Sequence, residues 1–235
     1  MSRPVYWHES IPSTMVEAAR LAAAGCAAGT IVAADEQTAG QGRLGRSWYS
    51  APGNGLYLSY VARVANVPAR TLAAGLAARA AIEVAADVTC DLRWPNDLLV
   101  GNRKCGGILV NAEPTALIVG IGINLNHEHF PPELAPIAIS LRQVTGRVID
   151  RHLLLNALAG ELDDWMPRPA EAVIAAFERA SSYARGRRVT AEGGLTGITA
   201  GLDEQGFLLI RQDDGKPARV VAGDVRPIGD TAAEE

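Results

Sequence analysis

The sequence predicts an α+β chain that ends in a small β-barrel. From residue 5 to about residue 182, short apolar strands alternate with helix-periodic stretches. After Gly186 the helical period disappears, and short strands follow one another across glycine- and aspartate-rich turns. We therefore place a boundary near Arg185, dividing the chain into 1–185 and 186–235. With 235 residues, 48% of them apolar, the chain can bury a sizeable core.

Val5 to Trp7 reads as a first strand. Pro12, Ser13 and Thr14 open a helix in which Thr14 and Glu17 fit a capping box and Gly25 is the stop. Ser13 and Thr14 are thus either caps or hydroxyls free to meet a ligand. Thr30 to Ala34 and Leu56 to Val61 are strands. Pro68 to Ala86 is alanine-rich and helix-periodic. Leu98 to Val100 is a short strand ending in a Gly101-Asn102 turn. Thr115 to Asn124, TALIVGIGIN, is a nearly continuous apolar strand with Gly120 and Gly122 on one face, which leaves room there for a flat ligand or another backbone. Asp150 caps a helix to Trp165, and Ala170 to Ser182 is the last helix. The tail from Asp230 is expected to fray.

Lys and Arg number 22 against 26 Asp and Glu, a net charge of −4, which argues against a nucleic-acid binder. Cys26, Cys90 and Cys105 have no paired spacing and read as free thiols in a reducing compartment. The N-terminus MSRPVYWHES has no apolar core of signal-peptide length, and no apolar run is long enough to span a bilayer. A soluble cytoplasmic protein is expected, without membrane or DNA contact. His127 and His129 lack the companions of a structural metal site.

Two stretches carry the candidate chemistry. Asp35 to Gly55, DEQTAGQGRLGRSWYSAPGNG, sets five glycines around Arg43, Arg46 and Trp48. Such a loop exposes backbone N–H groups and guanidinium forks to an anion such as phosphate. Its spacing fits neither a P-loop nor a dinucleotide fingerprint. Arg93 to Leu109, RWPNDLLVGNRKCGGIL, brings Asn96, Asp97 and Lys104 to a hairpin followed by a glycine pair. No nucleophile–base pair stands at recognisable spacing. The residues alone indicate a chain that binds a phosphorylated ligand.

Gly40 to Trp48 (GQGRLGRSW), Arg93 to Asp97 (RWPND), Lys104 to Leu109 (KCGGIL) and Gly120 to Asn124 (GIGIN) together resemble, in order, the motif set of the biotin protein ligases, the biotin–[acetyl-CoA-carboxylase] ligases. The resemblance covers nearly the whole chain. It implies a mixed central sheet flanked by helices, followed by an SH3-like barrel. It implies an ATP- and Mg²⁺-dependent enzyme that makes biotinyl-5′-AMP and passes biotin to a lysine of a biotin carboxyl carrier protein, of acetyl-CoA carboxylase or another biotin-dependent carboxylase. It gives Ser13, Thr14 and Gln37 to the biotin ureido ring, and Gly40, Gln41, Gly42 and Arg43 to the loop over biotin and adenylate. Lys104 falls at the carboxylate and α-phosphate, Gly107 against the ligand, and Arg46, Trp48, Asn96 and Asn124 on the nucleotide side. Lys104 and Arg43 are the catalytic candidates, and Asp97 is a candidate metal anchor. Gln41 stands where the family usually has an arginine in GRGRxGR and Leu44 replaces a frequent arginine, so phosphate contact from this loop is expected to lean on Arg43 and Arg46, and the tightness of adenylate retention is left open. Arg93 stands for the usual lysine of KWPND. The resemblance leaves a homodimer through the central sheet and a monomer both open. Lipoate–protein ligases and octanoyltransferases share the fold, and a non-catalytic biotin-binding module is the reading from another class. An N-terminal DNA-binding domain, present in some family members, is not expected.

Overall fold

A computed structural model describes residues 3–228; the tail from Asp230 lies outside them. Strand β1 (Val5–Ile11) leads through helix α1 (Thr14–Ala23) to β2 (Ile31–Gln37), and β1 and β2 pair in parallel. A loop containing a single 3₁₀ turn, Arg43–Gly45, precedes β3 (Gly55–Ala62) and the long helix α2 (Ala69–Ala86). Then come β4 (Asp91–Arg93), β5 (Asp97–Val100), β6 (Arg103–Glu113) and β7 (Ala116–Asn124). These strands form one mixed seven-stranded sheet in the order β1-β2-β3-β7-β6-β5-β4, antiparallel everywhere except β1–β2.

Helices α3 (Leu141–Thr145), α4 (Arg151–Trp165) and α5 (Ala170–Ala180) follow. Asp150 caps α4 as expected, accepting from the His152 and Leu153 backbone N–H groups. Helices α2, α4 and α5 bury one face of the sheet under the main apolar core. Along β7, Leu117, Val119, Ile121 and Ile123 point into that core. By the strand period of two, Ile118, Gly120 and Gly122 point to the opposite face. Of the helices, α1 covers that face, through a small cluster of Met15, Ala18, Ala22, Val32, Val61, Ala116 and Ile118. Ten residues of helix cannot cover a seven-stranded sheet, so the glycine end of β7 is left to the loop that precedes β3.

The capping box expected at Thr14 and Glu17 does not form. Ser13 occupies the N-cap position without a side-chain cap bond, and Thr14 is the first helical residue. Gln37, at the end of β2, serves the helix start instead: its Oε1 accepts from the Thr14 backbone N–H at 2.9 Å and from Thr14 Oγ1 at 3.1 Å. A carbonyl supplied from the neighbouring strand satisfies the N-terminal donors that a local cap would have met.

The C-terminal strands are β8 (Arg185–Ala191), β9 (Thr196–Leu202), β10 (Leu208–Gln212), β11 (Pro217–Val220) and β12 (Val225–Pro227). They make an antiparallel sheet in the order β11-β10-β9-β8-β12. Among the described residues β11 and β12 are its two edges and do not pair, so the expected barrel is an open sheet. Both edge strands are short and carry a proline, Pro217 and Pro227. Proline has no ladder donor, which suits an edge and opposes closure. The sheet is tied to the rest of the chain by Trp94 Nε1, which donates to the Gly206 carbonyl at 2.9 Å. Among the described residues no helix is long and apolar enough to cross a membrane. Cys26, Cys90 and Cys105 are free thiols, as expected.

Candidate functional site

Gly107 of β6 and Gly122 of β7 sit opposite each other in the ladder. With no Cβ on either strand, a flat ring can lie directly on the backbone. Trp48 does so: a Cβ on Gly122 would fall 2.5 Å from its indole, and one on Gly107 would fall 3.1 Å from it. The room that Gly120 and Gly122 make is thus filled by this chain's own Trp48 and Met15, the latter within 2.7 Å of a Cβ on Gly120.

Lys104 reaches the same face through an irregularity. The β5–β6 register shifts between Leu98 and Leu99, which leaves Cys105 as an extra residue on β6. Without it, Lys104 would share the face of Gly106 and point into the helix-covered core. With it, Lys104 joins Gly107 on the cleft face, its Cε within 3.1 Å of a Cβ built there. Its ammonium is ion-paired to Asp97 Oδ1 at 2.5 Å and lies 5.4 Å from the centre of the Trp48 ring. Arg93 takes the other oxygen of Asp97 at 2.6 Å. Burial pushes the Asp97 pKa up, but the Lys104 and Arg93 charges and hydrogen bonds outweigh it, so the carboxyl stays ionised below the usual range. With both oxygens engaged by cations, Asp97 aims Lys104 and is a poor metal anchor.

The Gly40–Gly55 loop folds as a hairpin over this face. The Gly42 N–H donates to the Arg46 carbonyl, the Trp48 N–H to the Gly40 carbonyl, and Gln41 bridges Ser47. Leu44 at the tip adopts a left-handed φ of 55° and is 60% exposed, so the residue that departs from the family arginine faces solvent. Arg43 Nη1 donates to Asn96 Oδ1 at 3.0 Å. Burial pushes the Arg43 pKa down, with the charges of Asp224 and Asp97 acting against that. Asn96 is itself fixed, donating to the Ile108 carbonyl at 3.0 Å.

Two clefts result. The first is lined by Thr14, Gln37, Gln41 and Trp48 with apolar walls from Met15, Leu58, Leu109 and Gly120. Ser13, which precedes Thr14, has its Oγ buried without a partner among the described residues, as has Trp48 Nε1; an unmet buried polar atom costs about 1–3 kcal/mol, which a ligand's hydrogen bond would relieve. The second cleft, about 510 Å³, opens between the loop, the β4–β5 hairpin and the C-terminal sheet, and its walls carry Arg46, Arg93, Tyr183 and Arg226. Gly42, Arg43, Asn96 and Lys104 line both.

Most residues singled out from the sequence therefore converge. Thr14, Gln37, Gln41, Gly42, Arg43, Trp48, Asn96, Lys104 and Gly107 meet at the first cleft, Arg46 lines the second, and Ser13, which precedes Thr14 with its hydroxyl buried, lines neither. Two more have other placements. Gly40 packs against its own loop, where a Cβ would fall 2.6 Å from the Trp48 carbonyl. Asn124 lines neither cleft; its buried amide donates to the Lys104 carbonyl at 3.2 Å and so steadies that strand. The sequence reading missed Met15, Leu109 and the C-terminal residues Tyr183, Asp224 and Arg226. Met15 and Leu109 look like ordinary core. The C-terminal three lie far along the chain in stretches without a motif, and only the docking of the second sheet brings them in.

Residues 7–127 match the Biotin/lipoate A/B protein ligase family, and residues 186–226 match the Biotin protein ligase C terminal domain. The chain is 36% identical over 236 residues to the Bifunctional ligase/repressor BirA of Bacillus subtilis, covering 92% of this chain and 71% of that one. It is 35% identical over 213 residues to the Biotin--[acetyl-CoA-carboxylase] ligase of Mycobacterium tuberculosis, covering 84% and 78%. The biotin protein ligase from Aquifex aeolicus in complex with biotin and ATP superposes with a TM-score of 0.87 at 30% identity, covering 97% of this chain and 100% of that one. The chain belongs to the Biotin/lipoate A/B protein ligase family, and within it to the biotin protein ligases.

Proposed function

We propose that this chain activates biotin with ATP as biotinyl-5′-AMP and transfers it to a lysine of a biotin carboxyl carrier protein. The observation that carries this reading is the wall of Arg43, Asn96 and Lys104 common to both clefts. A ligand carboxylate in the first cleft and a nucleotide α-phosphate in the second would meet there.

The Ser13 and Thr14 hydroxyls and the Gln37 amide offer donors and an acceptor to the ureido ring, and Met15 and Leu109 take its apolar chain. The biotin carboxylate oxygen attacks the α-phosphorus, the mixed anhydride forms, and pyrophosphate leaves. Lys104, held by Asp97, supplies a fixed positive charge where charge develops on the phosphoryl oxygens. Arg43 and Gln41 sit over the product, and a closed loop keeps water from the anhydride. The carrier lysine's amine then attacks the acyl carbon, an amide forms and AMP leaves. Trp48 and Asn96 are read as the adenylate side, with Trp48 turning from its glycine bed when ligands enter. Asp97 and Asp224 are both engaged by cations, and among the described residues no group of three His, Cys, Asp or Glu could hold a metal ion. The residues thus do not fit a resident Mg²⁺, and Mg²⁺ is read as the counter-ion that arrives with ATP. Residues 1–185 form the catalytic unit in this reading, and 186–235 wall the second cleft.

The match of residues 186–226 to the biotin ligase C-terminal domain favours biotin over lipoate. The test is incubation with ATP, Mg²⁺ and either biotin or lipoate, with mass spectrometry for the acyl-adenylate and then for an acylated carrier domain. Biotinyl-adenylate and a biotinylated carrier are expected; a lipoyl-adenylate alone, or no adenylate, sinks the reading.

A further inference from the structure

The second cleft holds five cations, Arg43, Arg46, Arg93, Lys104 and Arg226, against two carboxylates, Asp97 and Asp224. Asp97 already serves Arg93 and Lys104, and Arg43 is tied to the neutral Asn96. The surplus charge is therefore concentrated where the loop faces the C-terminal sheet. There Asp224 Oδ2 takes Arg46 Nη2 at 2.5 Å and Arg226 Nη2 at 3.5 Å. The Asp224 side chain is 28% exposed while the arginines are 56% and 71% exposed. The carboxylate thus sits behind, and both guanidinium groups stand forward with most of their N–H donors unspent. Among the described residues neither guanidinium has another side-chain partner. The hydrogen bond from Arg46, its charge and the same from Arg226 outweigh burial and keep the Asp224 carboxyl below its usual range. Asp224 is itself fixed by the start of β12, whose Val225 pairs with Ala191 of β8.

We propose that Asp224 is a positioning residue of a polyphosphate subsite: one carboxylate draws Arg46 from the loop and Arg226 from the C-terminal sheet onto one wall, and that wall takes the outer phosphates of a nucleoside triphosphate and the pyrophosphate it releases. The inference rests on the ligase reading and adds to it a role for the second sheet. Two guanidinium groups held side by side by a shared acid present a fork that matches phosphate oxygens. Holding them in advance removes the entropy of ordering a loop arginine at the moment of binding. The arrangement also gives a reason for Arg46 to lie outside the first cleft: it serves the leaving end of the nucleotide, not the acyl end.

Asp224→Asn keeps the shape and removes the charge. Expected is a loss of about five- to tenfold in pyrophosphate affinity and a matching rise in KM for ATP, with the KM for biotin unchanged and the melting temperature near the parent's. Asp224→Glu should restore part of the loss. In an Arg46→Gln, Arg226→Gln background the same change should add nothing, because Asp224 acts only through those two groups. Asp213→Asn removes the same charge from the same sheet, at the Arg188 pair, and should leave pyrophosphate binding unmoved. Calorimetry with pyrophosphate alone reads the subsite without turnover. Unchanged or tighter pyrophosphate binding in Asp224→Asn, an equal loss in Asp213→Asn, an equal loss in the double-arginine background, or a parent that does not bind pyrophosphate would each overturn the subsite. A parent that binds pyrophosphate but makes no adenylate would overturn the ligase reading and leave the subsite standing.

Discussion

Lys104 and Arg43 reach the same wall of the cleft from supports of different kinds. Lys104 stands on β6, in a strand paired on both sides, and its ammonium is locked to a carboxylate that is itself gripped by Arg93. Arg43 stands on a loop tied to the hairpin by one hydrogen bond to a neutral amide, and the same loop is tied to the second sheet by Arg46 on Asp224. The strand charge is already held in place by that pairing. Arg43 can change partners, since its one side-chain tie is a single hydrogen bond to a neutral amide, worth about 1 kcal/mol. In the proposed mechanism, chemistry that needs preorganised charge falls to the first support, and opening and closing fall to the second.

The largest expected effect is on the strand side. Lys104→Ala should lower the rate of adenylate formation by about 10² to 10³ while biotin still binds. Pyrophosphate release under saturating ATP and biotin measures it, and a near-parent rate would erase the distinction between the two supports.

His127 sharpens the comparison, because it lies where the loop rejoins the sheet. It is buried, with its ring 5.8 Å from that of Tyr49 of the loop, stacked on Phe130 at 4.7 Å, and 3.5 Å from the Tyr57 hydroxyl. Burial pushes its pKa from 6.5 down to about 4. The unfolded chain then binds a proton that the folded chain refuses, so stability is full above pH 6.5 and falls as pH drops toward about 4. The difference amounts to about 3 kcal/mol. His127→Gln should flatten the stability–pH slope between pH 7 and pH 4.5 in chemical denaturation. An unchanged slope would place the acid sensitivity elsewhere.

The glycine bed under Trp48 is a smaller and more local test. Gly122→Ala puts a methyl 2.5 Å from the indole, and overpacking of this kind costs about 1–3 kcal/mol. Trp48 should be driven off the strands, with its fluorescence shifted toward that of an exposed indole and ATP binding weakened. A parent-like emission spectrum would mean that the ring does not rest on Gly122.

Much of this was legible in the residues, and the failures have physical causes. Strand β7 and helix α4 declared themselves through apolar period and an aspartate cap, both local signals. The Thr14 capping box failed because Gln37, 23 residues on, offered a better-placed carbonyl, and no local pattern carries that. Lys104 was picked out beside its glycines, but the bulge at Cys105 that turns it into the cleft is a matter of pairing register and leaves no mark in composition. Barrel closure was over-read: short strands with tight turns suit an open sheet as well, and Pro217 and Pro227 were the available warning. The contribution of Asp224 and Arg226 depends on how two sheets dock, which is the least legible level of all.

The smallest effect on rate, and the clearest divide between the two supports, is expected at Arg43. Its side chain makes one hydrogen bond, to Asn96, and losing a contact of that kind costs about 1 kcal/mol, or roughly fivefold. Arg43→Gly also adds a further glycine to a loop that already holds five between residues 40 and 55, which makes the closed form more costly in entropy. Formation of the adenylate, which the proposed mechanism assigns to Lys104, should stay within that factor. Retention should not, because Gln41 brings no charge to take over and Leu44 faces solvent. The released mixed anhydride would then acylate exposed lysines of bystander proteins. Labelling of serum albumin with biotin and ATP present, variant against parent, measures the leak directly. A variant that forms adenylate at the parent's rate and labels no more albumin than the parent would show that the loop is not the lid.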